Sequence, residues 1–457
     1  MEDAPAASDL PDPLDEAAAA LNEPGGVRYW TDFFKAVLHP KCVYEASGIW
    51  CGSDGWEGYG QGADVLSSEE NKENAMDRIR FFAEECDHLQ GFQVMAEDLG
   101  GWGRVTADLL AEVRQDYSKA SVLLFSLRQR RPGAEGGGSS RQEQCWGSLN
   151  PCLSLASLHD AASMYVPTAA PKCPSTNALL QWDPTRAFHS SALCAAAIDT
   201  ATLPYRLSSA ASPSSIAPTG VADMDELLQI VTRRRSSSEL CLGALFAGLP
   251  APAVRTMYEM GAATDSRQRS RETEPRQRAE VSKVLPFSEG HPSASGRDLE
   301  AESVVLRGAR TPTGTAATGT VMAATALDEL LLEEELQRRA LRHRCVSMQP
   351  LPLPRSFPHI FLPPMGSAAS SQPPLPASLP VLSRLQHTGA SRGPMRRWLQ
   401  DFQGARRTTA GAASLSAWGY AREDMEEVEE RIHTMLSSLP QQLGDSDSDD
   451  EGSGMDM

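Results

Sequence analysis

The sequence predicts an α/β fold: a parallel sheet with flanking helices, then a second α+β portion with disordered insertions. Three observations predict it. Over residues 91–125 a buried strand, a glycine loop, an amphipathic helix and a second buried strand follow one another, which is the order of a βαβ unit with parallel strands. Apolar stripes at helical spacing recur along the rest of the chain, between short continuous apolar runs. Polar and Pro/Ser-rich stretches separate these packed blocks and carry too few apolar residues to form a core.

In order, residues 1–24 are acidic and Ala/Pro-rich and read as a disordered lead-in. Trp30, Phe33, Phe34, Val37 and Leu38 form a short helical stripe that Pro40 stops. A glycine- and tryptophan-rich loop spans Gly48 to Gly62. Met76, Ile79, Phe82, Cys86 and Leu89 line one side of a helix from about Glu73 to Leu89. Gly91 to Ala96 reads as a buried strand, Asp98 to Gly103 as a glycine loop, Val105 to Asp116 as a helix, and Ala120 to Phe125 as a second strand. Residues 128–144 read as a loop. Helical patterns follow at 149–164 and 187–202, and a short helix at 223–232. Leu240 to Leu249 is a buried strand. Residues 263–300 read as a disordered insertion. Ser303 to Gly308 is a strand, and Thr325 to Arg344 a leucine-rich helix with a capping signal. Residues 346–395 are a second disordered insertion, with only Ile360-Phe361-Leu362 strand-like. A last helix runs from Glu423 to Leu439, and residues 444–457 form an acidic tail.

The formal net charge of −18 argues against nucleic acid as a partner, which calls for a basic face to displace counterions. It also disfavours adsorption to anionic lipid. The nine cysteines are scattered without a C-x-x-C pair, so they read as free thiols in a reducing compartment, not as a zinc site. No apolar run reaches the ~18–20 residues of a transmembrane segment. The lead-in shows neither a secretory signal nor a mitochondrial presequence.

The run Asp77-Arg78-Ile79-Arg80 through Cys86-Asp87-His88-Leu89-Gln90-Gly91-Phe92-Gln93 resembles the tubulin superfamily, as do Leu149-Asn150-Pro151-Cys152-Leu153 and Val304-Val305-Leu306-Arg307-Gly308. Trp30-Thr31-Asp32-Phe33, Leu38-His39-Pro40, Phe188-His189-Ser190-Ser191-Ala192, Pro204-Tyr205-Arg206-Leu207 and Arg396-Arg397-Trp398 resemble misato proteins more closely than tubulin itself. The resemblance implies a tubulin-like fold, with a truncated nucleotide-binding-type domain over 25–207 and a second portion over 208–443. It implies no enzyme activity, no cofactor, and a role in mitochondrial distribution, morphology and fusion. Partners would be proteins at the mitochondrial surface, with tubulin or chaperonin as the alternative, and the location cytoplasm and the face of the outer membrane. Misato proteins carry a first strand and loop ahead of the Trp-Asp-Phe segment. This chain starts just upstream of that segment, so an uncovered sheet edge and weaker packing near the N-terminus are expected.

The same resemblance places a degenerate phosphate loop at Gly100, Gly101 and Gly103. Glycines before a helix let backbone N–H groups converge on an anion. Here Trp102 and Arg104 replace small and hydroxyl residues, and Thr106 is the one nearby hydroxyl. The sequence reading therefore favours a structural turn over nucleotide binding, and finds no carboxylate that would position water for hydrolysis. Adjacent His189 and Ser190 point in different directions on a helix and lack an orienting partner, so no catalytic residue is assigned. Arg233-Arg234-Arg235-Ser236 resembles a basophilic kinase target, and Ser446 and Ser448 sit among acidic residues as acid-directed kinase sites do.

Overall fold

A computed structural model describes residues 13–23, 26–27, 38–46, 56–128, 140–171, 180–207, 218–233, 241–249, 285–288, 299–308, 340–361 and 377–439. Four strands, β1 (Gly91–Ala96), β2 (Ser121–Leu127), β3 (Met164–Thr168) and β4 (Cys241–Gly248), run parallel and side by side. The sheet continues without a break into the second half of the chain. β10 (Val381–Thr388) pairs antiparallel with both β4 and β6 (Leu299–Arg307), and β7 (Leu341–Ser347) closes that end parallel to β6. The order is β1-β2-β3-β4-β10-β6-β7, with the two-residue β5 (Leu285–Pro286) also on β4. A separate pair joins β8 (Leu351–Pro352) and β9 (Ser378–Leu379).

Both faces of the sheet are covered, as parallel strands require. Because side chains alternate along a strand, Val122 and Leu124 of β2 enter one core and Leu123 and Phe125 the other. On the first face lie α2 (Glu69–Glu84), α3 (Gly101–Asp116), α4 (Arg141–Leu158) and three late helices, α7 (Arg392–Arg406), α8 (Thr409–Ala417) and α9 (Arg422–Ser438). On the second lie α5 (Ala187–Ala201) and α6 (Met224–Val231). β1 pairs only with β2 among the described residues. Its side chains are half-buried and Met95 is 57% exposed, whereas β2 is buried through six of its seven residues. That is the packing of an edge strand.

Several expectations need correction. The lead-in over residues 1–24 contains a helix, α1 (Pro13–Asn22), favoured by its alanines and by proline at the first position. It is tied down by Arg186, which donates to the Asn22 carbonyl at 2.8 Å, and by Asn22 Oδ1, which accepts from the His359 N–H at 2.9 Å. The helical pattern over 149–164 runs one way too far: α4 starts at Arg141 inside the expected loop and stops at Leu158, and Met164 opens β3. Of the helix expected over 325–344, residues 325–339 lie outside the described residues, and 341–344 are strand β7. The insertion over 263–300 gives up Leu285–Ser288 and Leu299–Glu300 to the sheet. The insertion over 346–395 holds β8, β9, the start of α7 and, at the sheet's centre, all of β10. The helical stripe at 30–38 falls almost wholly outside the described residues.

Candidate functional site

The glycine loop lies where β1 ends. The chain leaves Ala96, passes Asp98 and Leu99, and enters α3 at Gly101 with Gly100 as its extended, uncapped N-cap. A helix start leaves its first N–H groups without intrahelical acceptors, and an anion is one way to satisfy them. Here another stretch of the same chain does so for the first of them. Gly101 N–H donates to the Trp56 carbonyl at 3.0 Å. The approach is too close for any side chain: a Cβ on Gly100 would sit 2.2 Å from the Trp56 oxygen, and one on Gly101 would sit 2.9 Å from Trp56 Cε3. Gly103 faces inward, where a Cβ would sit 2.7 Å from both the Asp98 carbonyl and Ser154 Oγ. All three glycines are therefore required by close packing.

Residues 56–62, which supply that carbonyl, are held like a plug. Asn150 of α4 donates to the Glu57 carbonyl at 2.6 Å and to the Leu99 carbonyl at 2.5 Å, and its Oδ1 accepts from Tyr59 N–H at 3.0 Å. One buried amide thus stitches plug and glycine loop together. Gln61 Oε1 accepts from Gly58 N–H at 2.8 Å, and Gly62 packs so tightly that a Cβ there would lie 2.0 Å from the Gly101 carbonyl. The Trp56 and Trp102 rings lie 5.1 Å apart over the outer side.

The side chains with phosphate-binding chemistry are engaged elsewhere. Arg104 turns along its own helix to Asp108, with Nε–O distances of 2.8 and 2.9 Å. Thr106 Oγ1 donates to the Trp102 carbonyl at 2.8 Å. Beneath the loop, Asp98 and Arg128 form a buried ion pair at 2.7 Å across the ends of β1 and β2. Tyr165 from β3 donates to the same carboxylate, and Arg128 donates to the Tyr165 oxygen at 2.9 Å. The guanidinium also lies over the Trp398 ring of α7, 4.3 Å from its centroid. Ser154 Oγ donates to the Asp98 carbonyl at 2.5 Å.

Sequence reasoning located the three glycines but not Trp56, Asn150, Asp98 or Arg128. Asn150 stood in the Leu149-Asn150-Pro151 motif, whose asparagine was the available signal. Arg128 opens the stretch 128–144 that reads as a loop, and the structure buries it. His189 sits buried at the start of α5, its Nδ1 accepting from Asp183 N–H at 3.1 Å, and burial pulls its pKa down. An open cavity of about 560 Å³ lies at the opposite ends of β1 and β2, lined by His88, Gln90, Asp116, Lys119, Asp225 and Glu226 among others, and does not reach the glycine loop. Among the described residues no group of three or more His, Cys, Asp or Glu could hold a metal ion, and no helix is long and apolar enough to cross a membrane.

Residues 19–207 match a family described as a tubulin domain. Protein misato homolog 1 of Bos taurus is 32% identical over 212 residues, 44% of this chain and 35% of that protein. Its counterpart in Homo sapiens is 32% identical over 207 residues, 43% and 35% of the two chains. Protein dml-1 of Neurospora crassa is 30% identical over 246 residues, 53% of this chain and 43% of its own length. The matched stretch thus spans between 35% and 43% of these relatives.

Proposed function

We propose that this chain is a non-enzymatic regulator of mitochondrial distribution, morphology and fusion, a reading supported by the tubulin-domain match over residues 19–207 and by the 30–32% identity to misato and dml-1 proteins. It works from the cytoplasm, through protein partners at the mitochondrial outer membrane, as a peripheral protein. The reading that it performs no chemistry rests on one observation: the start of α3, where a nucleotide phosphate would be received, already takes the Trp56 carbonyl. Gly100, Gly101 and Gly103 are the remnant of a phosphate loop in this reading, and their present work is to admit the plug. A carbonyl oxygen and a phosphate oxygen compete for the same N–H. The carbonyl comes with Asn150 behind it and incurs no cost of association.

The test is calorimetric titration of the full chain with GTP and with GDP. No heat above dilution is expected for either. Micromolar binding would refute the closed-loop reading and move the chain to the GTP-binding proteins. A second measurement addresses the setting. The tagged chain should fractionate with mitochondria and be released by mild salt or carbonate, and it should capture outer-membrane proteins. Recovery of tubulin or chaperonin instead would favour a cytoskeletal factor, a reading that the tubulin-like fold supports.

A further inference from the structure

α7 and α9 pack side by side, and between the start of one and the end of the other they leave a groove of about 340 Å³. Arg392 and Arg396 line it from α7, and His433 and Ser437 from α9, above an apolar floor that includes Leu399 and Leu436. Among the described residues no carboxylate lines it. Glu429, the neighbouring acid on α9, is turned to Arg406 at 2.8 Å and to Gln403 at 3.2 Å. Asp401 and Glu430 are exposed on the two helices and do not line the groove. The groove is therefore a locally basic site on a chain whose net charge is −18.

The chain leaves α9 at this place. Arg392 Nη2 donates to the carbonyl of Leu439 at 2.6 Å, so residue 440 begins at the groove's rim. Residues 440–457 lie outside the described residues. Within them Asp445, Asp447, Asp449, Asp450 and Glu451 put five carboxylates into seven positions, without a lysine or arginine. The five residues 440–444 reach ~17 Å when extended. The lining stretch of α7, from Arg392 to Gln403, is ~16 Å long. We propose that this groove is the docking site of the chain's own acidic tail, residues 445–451. So short a tether raises the local tail concentration to the millimolar range, enough for a weak electrostatic contact to be occupied. Phosphate at Ser446 or Ser448 adds charge to the occupant and tightens the contact. The proposal does not depend on the family reading.

Carbodiimide joins a carboxylate to an amine with no spacer, which makes it the probe. It is applied to the full chain carrying Arg396→Lys, with Arg407→Lys, exposed at the far end of α7, as the control. Both substitutions lie on exposed side chains and leave the core untouched. Peptide mass spectrometry of the monomer fraction should find residues 445–451 linked to position 396, about five-fold more often than to position 407, and the yield should fall severalfold in ~0.5 M salt. Equal yields at the two positions, or no link at 396, overturn the proposal. Links found only between two chains also overturn it, and assign the groove to the tail of a second copy.

Discussion

Glu302 is the most demanding group in the sheet, and its replacement is a sharp test of how β6, β7 and β10 are held together. It lies wholly buried on β6 with Arg342 of β7 directly opposite on one side and Gln386 of β10 directly opposite on the other. The carboxylate accepts from Arg342 Nε at 2.5 Å, Arg384 Nε at 2.9 Å, Arg384 Nη2 at 3.0 Å and Gln386 Nε2 at 2.8 Å. Burial pushes its pKa up, but the charge and hydrogen bond of Arg384, then Arg342 and Gln386, outweigh burial and hold it at about 2, against the usual 4.5. Glu302→Gln keeps the shape and removes the charge shared by two guanidiniums. Breaking a buried pair from one side costs ~3–5 kcal/mol. The lowered pKa points the same way: held at about 2 in place of 4.5, the carboxylate gives the folded state ~3 kcal/mol at pH 7. For a depressed carboxylate the stabilisation is complete above pH 4.5 and is lost as pH falls through 2. By pH 3 the wild type should have lost ~2 kcal/mol from this group alone, while the glutamine variant, which cannot titrate, loses none of it. Urea unfolding at pH 7 and pH 3 measures both. The gap between the two proteins should be ~3 kcal/mol or more at pH 7 and narrow by ~2 kcal/mol at pH 3. A gap under ~1 kcal/mol at pH 7, or one that stays constant with pH, would refute the reasoning.

Three further outcomes follow, two from the plug and its foundations and one from the buried thiols. Asp98→Asn removes the charge that faces buried Arg128, and urea unfolding at pH 7 should show a loss of ~3 kcal/mol with a changed near-ultraviolet signal from Trp398. Asn150→Ala leaves Tyr59 N–H and the carbonyls of Glu57 and Leu99 without their side-chain partner, at ~1–3 kcal/mol per unsatisfied group. Hydrogen exchange should then quicken over residues 56–62 well before it does over β2 and β3. Burial pushes the thiols of Cys152 and Cys194 up to about 12, so at pH 8 both should resist maleimide in the native chain, while exposed Cys42 and Cys86 react.

What the sequence discloses depends on how each element meets its neighbours. β1, β2 and β4 are short, mainly apolar runs, and α6 and α9 carry single apolar stripes, so local pattern is enough for all five. β10 is opaque for a physical reason. Ser383, Arg384, Gln386, His387 and Thr388 give it the composition of a surface segment, yet every residue of the strand is buried. Arg384 and Gln386 are tolerated there because Glu302, 82 and 84 residues away, faces them, and Ser383 because its hydroxyl donates to the Ala197 carbonyl. No window of local sequence contains both members of such a pair. β3 is short and follows a helix that is nearly all buried from Leu149 to Leu158, so the change of period at Met164 is blurred. At the glycine loop, the three glycines announce a close approach, but what approaches is Trp56, more than forty residues upstream. Its role is set by Asn150, more than ninety residues downstream of it.

That same long-range stitching explains why a tubulin-like frame can persist with its glycine loop closed. The plug does not rest on the loop alone. A Cβ on Gly60 would lie 2.0 Å from Trp418 Cγ, just past α8, and Trp146 of α4 donates to Ser414 Oγ of α8 at 2.8 Å with its ring 5.9 Å from that of Trp418. Below, Arg128 couples Asp98 to Trp398 on α7. An external anion that sought the start of α3 would have to displace the Trp56 carbonyl, strip Asn150 of its bonds to the plug, and loosen residues 56–62 from the late helices. At ~1 kcal/mol net for each hydrogen bond, giving up the Gly101–Trp56 bond and the two bonds between Asn150 and the plug costs ~3 kcal/mol, which lowers the affinity of any anion there about a hundredfold. Residues 56–62, Trp146 and Arg128 instead fix α7, α8 and α9 against the sheet.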